Sequence, residues 1–126
     1  MSLESPLARA RGLGSAGHGT QQWWQQRLTA MALFPLSLWF IGSMLVLNRA
    51  DHASVVQWMR SPMTAVLLLM FMAAMLHHAQ LGMQVVIEDY VDPDWQKVAC
   101  VILVKFLAVL AGLASALAIL KTFLGL

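Results

Sequence analysis

Three long runs of apolar residues, separated by short polar stretches, organise this chain. The first extends from about Leu28 to Leu47, the second from about Met63 to Ile87, and the third from about Val98 to Leu124. A hydrocarbon core about 30 Å thick needs roughly 20 helical residues, so the first run is just long enough to cross it and the other two cross it with tilt. Pro35 falls inside the first run; proline is tolerated in membrane helices and can kink them. The linker from Asn48 to Pro62 carries Arg49, Asp51, His52 and Arg60, and the shorter one from Glu88 to Lys97 holds four acids. Residues Met1 to Thr20 are small, polar and glycine-containing, as in a flexible or partner-ordered arm. The stretch QQWWQQR from Gln21 to Arg27 has the make-up of a helix entering a headgroup layer. The pattern predicts an all-α integral membrane bundle of three transmembrane helices, about 28–47, 63–87 and 98–124, forming one domain over 28–126. A short polar N-terminal arm and interfacial segment over 1–27 precedes it.

Composition supports the membrane assignment and narrows the function classes. Of 126 residues 60% are hydrophobic and only 11% charged, against about 25% charged in soluble domains. A net charge of +2, with no basic run, gives no footing for nucleic acid. The single cysteine, Cys100, rules out an internal disulfide or a cysteine-paired metal site. The nine methionines are scattered through the apolar runs and read as packing filler. Glycine-rich phosphate loops, HExxH and a nucleophile elbow are all missing. The first apolar run begins too far along the chain, without a small-residue cleavage site after it, for a cleaved leader, so the first span is expected to be a retained signal anchor.

Lysines and arginines near the helix ends set orientation. Arg9, Arg11, Arg27 and Lys97 share one side; Arg49, Arg60 and Lys121 share the other, while Lys105 lies inside the third span and can snorkel toward the first side. The bias points to a cytoplasmic N-terminus and an external C-terminus. The third span repeats small residues four apart (Ala108 and Gly112, Ala111 and Ser115, Gly112 and Ala116), a spacing that admits close helix approach. Frequent alanine and glycine produce the same pattern without that role. Three helices enclose little interior, so a large polar site needs walls from another chain.

The chemistry-bearing residues concentrate on the second span. A histidine inside a bilayer is costly and is a functional-site candidate by default. His78 and Gly82 stand four apart, on one helix face, which leaves a hollow beside the imidazole. A flat macrocycle such as haem needs both an axial nitrogen and that room. The same pair also suits a histidine hydrogen-bonded to a neighbouring helix, with glycine as a packing notch. His77 is turned about 100° from His78, so the two cannot serve one ligand alike, and His18 and His52 lie in polar segments near opposite faces. A haem with two histidine ligands would therefore draw its second from a partner subunit. Asp89 and Tyr90 follow at the membrane exit, Tyr90 being the one tyrosine in the chain. Its phenol can anchor at the interface or donate to a quinone carbonyl, with Asp89 orienting a neighbouring donor. Arg27 enters the first span on the same side, either as a positive-side anchor or as a partner for an anionic group.

The run His78-Ala79-Gln80-Leu81-Gly82-Met83-Gln84-Val85-Val86-Ile87-Glu88-Asp89-Tyr90-Val91, with Gly17-His18 and Arg27-Leu28-Thr29-Ala30 upstream, resembles the hydrophobic membrane anchor subunit of succinate dehydrogenase, the smaller anchor of respiratory complex II, in its alphaproteobacterial or mitochondrial form. That resemblance implies a non-catalytic anchor within an oxidoreductase complex. It implies His78 as an axial ligand to the iron of haem b, shared with the larger cytochrome b anchor subunit, with Gly82 leaving room. It implies Tyr90 and Asp89 at the ubiquinone site, and Arg27 near the haem propionates and the quinone. His18 is a weaker correspondence, its gap to Arg27 being longer here, and His77 is the rival ligand to His78. The implied partners are the larger anchor, the iron–sulfur subunit, the flavoprotein subunit and the lipid bilayer. The implied location is the bacterial inner membrane, with the N-terminus cytoplasmic. The anchor of a quinol:fumarate reductase, or a purely structural small membrane protein without a redox role, are the alternative readings.

Overall fold

A computed structural model describes residues 5–12 and 18–126, and among these it is all helix and connecting turns. A five-residue helix, α1 (Pro6–Ala10), precedes α2 (His18–Leu47), the short α3 (His52–Met59), α4 (Pro62–Tyr90) and α5 (Asp94–Leu124). The three long helices, with 30, 29 and 31 residues, are each about 45 Å long at 1.5 Å per residue. That is the full bilayer including its headgroup layers. All three are apolar enough to cross a membrane.

Each long helix outruns the span read from the apolar pattern. α2 starts at His18, ten residues before the expected span, and so takes in QQWWQQR; α4 continues to Tyr90 and α5 begins at Asp94. Hydrophobicity marks only the part of a helix in hydrocarbon. Glutamine and arginine are good helix formers, and nothing in 20–27 breaks the backbone ladder. Asp89 and Tyr90, expected in a loop beyond the helix, accordingly form the last turn of α4. The turn to α5 occupies 91–93, with a cis Asp92–Pro93 bond.

The linker expected between the first two spans contains α3. Asp51 caps it: its carboxylate accepts from the Ser54 backbone N–H at 3.2 Å and also from the Ser54 hydroxyl. These two bonds hold the Asp51 carboxyl below its ordinary value. Pro62 then opens α4 in the first turn, where its missing N–H costs nothing.

Packing is uneven along the bundle. α4 is the central helix, flanked by α2 and α5. Its N-terminal half holds the core, where buried Ala65 and Leu68 meet Ile119 of α5, with Trp39, Phe40 and Trp58 packed around them. Trp58 of α3 stacks on Trp39 of α2 (5.8 Å, 22°), and Phe40 stacks on Phe71 (4.9 Å, 18°). At the same end Gly125 closes α5 at φ +73°, a left-handed conformation open to glycine, with the Arg60 guanidinium beside it. Outside this core most large apolar side chains point outward; Phe34 and Phe106 are each 72% exposed. Such a surface is stable against lipid or other apolar helices, not water.

Candidate functional site on α4

The C-terminal half of α4 carries the residues singled out in the sequence, and they separate onto two faces. His78 is half-buried and faces α2. Its Nδ1 lies 3.0 Å from the hydroxyl of Thr29. That hydroxyl lies 2.8 Å from the carbonyl of Gln25 and 3.0 Å from that of Gln26, both one turn back along α2. A threonine has one hydroxyl proton and carbonyls have none. With that proton on the helix carbonyls, the oxygen accepts from His78, which is then the Nδ1–H tautomer with its lone pair on Nε2, the arrangement by which proteins orient metal-binding imidazoles.

Gly82, one turn on, is open on its outer side. A Cβ placed there would meet only Gln26 Nε2, at 3.9 Å. The opening belongs to a cleft of about 420 Å³ between α2 and α4, lined by Gln22, Trp23 and Gln26 on one wall and Gly82, Val85 and Glu88 on the other. Gln22 Nε2 and Gln26 Oε1 are buried without a hydrogen-bond partner among the described residues. Glu88 accepts from Gln84 Nε2 at 2.8 Å. Arg27 is exposed and lies over the Trp23 ring, 4.9 Å from its centroid, so its charge sits against the outer wall of this cleft.

His77 does not share that face. It lines two clefts on the α5 side, together with Gln80 and Lys105. Asp89 and Tyr90 are not part of the Gly82 cleft, and Tyr90 is 85% exposed. Tyr90 stands about 18 Å along α4 from His78, twelve residues at 1.5 Å each. His52 opens α3 at the opposite end of the bundle, and the side chain of His18 lies outside the described residues. The structure thus gathers His78, Gly82 and, through Trp23, Arg27 on the α2–α4 face; Asp89 and Tyr90 form a separate exposed group at the helix end.

Sequence reasoning gave no role to Thr29, Gln22 or Gln26. Their signal is present: Gln22 and Gln26 stand four apart on one face of α2, and Thr29 is a hydroxyl in an apolar run. Which helix they face is a tertiary fact that periodicity does not carry.

The family model for the succinate dehydrogenase/fumarate reductase transmembrane subunit matches residues 1–112. The chain is 34% identical over 117 residues to the succinate dehydrogenase hydrophobic membrane anchor subunit of Rickettsia bellii, covering 93% of this chain and 94% of that one. Similarity to the subunit of the same name from Paracoccus denitrificans is 32% over 122 residues, covering 94% and 92%. A succinate dehydrogenase membrane anchor subunit of Reclinomonas americana is 23% identical over 94 residues, 72% of this chain and 78% of the relative. No solved structure matches the chain.

Proposed function

The chain belongs to the succinate dehydrogenase/fumarate reductase transmembrane subunit family, and from that premise we propose that it is the hydrophobic membrane anchor of a succinate dehydrogenase, sharing a haem b with a larger cytochrome b anchor and forming part of a ubiquinone-reducing site. It is a multi-pass membrane protein. In this reading it lies in the bacterial inner membrane with its N-terminus cytoplasmic. It holds the flavoprotein and iron–sulfur subunits at that side, where the redox chemistry of succinate takes place. The family covers both directions of the succinate–fumarate couple; the names of the relatives favour succinate oxidation.

The observation that carries the site assignment is the Thr29–His78 hydrogen bond beside the open Gly82. It supports His78 over His77 as the iron ligand, because it supplies a fixed imidazole with a free Nε2 lone pair. The lining also fits the group: Gln22 and Gln26, each with a buried amide atom that lacks a partner among the described residues, line the adjoining cleft, and a guanidinium borders it. Bound there, haem supplies a one-electron carrier. His78 would hold the iron, Gly82 would leave room for the ring, and Arg27 would pair with a haem carboxylate. At the end of α4, Tyr90 donates its phenolic proton in a hydrogen bond to a quinone carbonyl, and Asp89 accepts from a neighbouring donor to orient it. With Tyr90 85% exposed, the remaining walls come from the partner subunits.

The test is the complex purified in detergent with whatever subunits accompany the chain. Flavoprotein and iron–sulfur subunits should co-purify, and the reduced-minus-oxidised spectrum should show a b-type haem. His78→Ala should remove or shift that spectrum and His77→Ala should leave it. An unchanged spectrum in His78→Ala rejects His78 as ligand, and a pigment-free preparation without partner subunits rejects the redox reading altogether.

A further inference from the structure

The other face of α4 carries a site the anchor role does not use. Where α2, α4 and α5 meet near the N-terminal side, a mainly polar cleft of about 320 Å³ is lined by His77, Gln80, Gln84 and Lys105, with Leu81 and with Gln21, Gln22 and Gln25 of α2, Gln22 being shared with the Gly82 cleft. A second cleft, about 340 Å³ and mainly apolar, runs on between α4 and α5 past Leu76, Ala108, Val109 and Gly112. His77, Gln80 and Lys105 line both, so the two form one groove, polar at one end and apolar at the other. Small side chains make the apolar part: a Cβ on Gly112 would stand 3.5 Å from Leu76 Cδ1. No carboxylate lines either part among the described residues. Lys105 lies eleven residues into α5, about 16 Å from its start. A lysine at that depth in a membrane helix is expensive without a counter-charge.

We propose that this groove binds one anionic phospholipid, its phosphate held by Lys105 and His77 and an acyl chain lying along Leu76, Ala108 and Gly112. Lysine, an imidazole N–H and amide N–H groups all donate, and a phosphate oxygen only accepts. A quinone head brings neutral carbonyls and leaves the Lys105 charge uncompensated. A zwitterionic headgroup brings an ammonium for which the groove has no carboxylate. The polar end lies toward the headgroup layer and the apolar end toward the bilayer centre, as an amphiphile entering from the leaflet requires.

The experiment extracts and quantifies phospholipid and prenylquinone retained by the detergent-purified, full-length chain with its accompanying subunits. It then measures rebinding from nanodiscs of phosphatidylglycerol or phosphatidylcholine. The wild-type protein should retain about one anionic phospholipid per chain and take up phosphatidylglycerol in preference. Lys105→Gln should weaken that uptake about five-fold, the effect of one cation near a membrane surface. Lys105→Arg and the control Lys97→Gln, outside both clefts, should retain it. Ala108→Leu, which fills the apolar part without touching charge, should weaken it as well. Absence of stoichiometric phospholipid, equal uptake of the two lipids, or undiminished uptake by Lys105→Gln would overturn the proposal. Full competition by millimolar inorganic phosphate would make it a free-anion site instead, and Lys105-dependent recovery of prenylquinone would make it a quinone site. The haem spectrum should be unchanged in Lys105→Gln, so failure here and failure of the anchor reading are separable.

Discussion

Removing the Thr29 hydroxyl tests whether the α2–α4 contact positions a ligand or only packs two helices. Thr29→Val keeps the β-branched shape and deletes the oxygen that accepts from His78 Nδ1 at 3.0 Å. As a packing contact the bond is worth little: interhelical hydrogen bonds in membranes average about 0.6 kcal/mol and reach about 1.7. As a positioning contact it is worth more. Without the acceptor, the imidazole is free to carry its proton on Nε2, which removes the ligating lone pair, and the ring loses its fixed orientation. Loss of such an outer partner typically costs 10- to 100-fold in metal affinity, or about 1.4–2.8 kcal/mol.

The two roles therefore separate in two measurements on the purified complex. Thr29→Val should lower thermal stability slightly, while haem per chain falls, or the haem midpoint potential shifts, by far more than the folded fraction does. Thr29→Ser retains an oxygen that can donate to the Gln25 carbonyl and accept from His78, and should restore both readings. Wild-type haem content and potential in Thr29→Val would refute the tautomer argument. So would a Thr29→Ser protein as defective as Thr29→Val, or haem loss that merely follows unfolding.

Tyr90→Phe, which deletes only the phenolic oxygen, should impair ubiquinone reduction while succinate oxidation by artificial acceptors survives; equal loss of both would count against a quinone role. Trp58→Ala should cost more than about 1 kcal/mol, the stack on Trp39 alone being worth about that beyond the apolar area lost from the core, read by thermal unfolding in detergent, and should leave the haem spectrum alone; the exposed Phe34→Ala serves as the neutral control. The capping contribution of Asp51 depends on pH in one direction. Its hydrogen bonds from Ser54 hold the folded carboxyl below the ordinary value of 3.8, so the stabilisation is fully present above that value and disappears as pH falls through the lower folded one. Protection of the α3 amides, measured against their intrinsic exchange rates at each pH, should fall over that acid window in the wild type and stay level in Asp51→Asn.

The bundle was legible because a bilayer leaves few choices: about 20 apolar residues in a row must be helix. Its ends were not legible, since Gln21 to Arg27 and Glu88 to Tyr90 are helical but polar, and hydropathy stops where the hydrocarbon does. α3 escaped for a related reason. Eight residues are too few to be stable alone, and what holds them is the Asp51 cap and the Trp58–Trp39 stack, one local and readable, the other tertiary. For the site, spacing alone put His78 and Gly82 on one face and turned His77 away, but left the hydrogen-bonded histidine and the haem ligand as competing readings. The Thr29 contact makes the two readings compatible, since a hydrogen bond through Nδ1 leaves Nε2 unused.

The distribution of packing along α4 gives the two halves of the bundle different work. One half is closed by Ala65, Leu68, Ile119 and the stacked aromatic rings, an apolar contact in which Thr64 is the one buried polar residue among the described residues. The other half is left open on two sides of the same helix, and there the polar atoms are not all satisfied. Gln22 Nε2 and Gln26 Oε1 are buried with no partner among the described residues. An unsatisfied buried polar atom costs about 1–3 kcal/mol, and lipid on the open side offers no hydrogen bond in compensation. The aromatic end is closed by its own side chains, whereas the glutamine end is open and leaves that cost standing, and the anchor reading places its occupant there, at the Gly82 cleft.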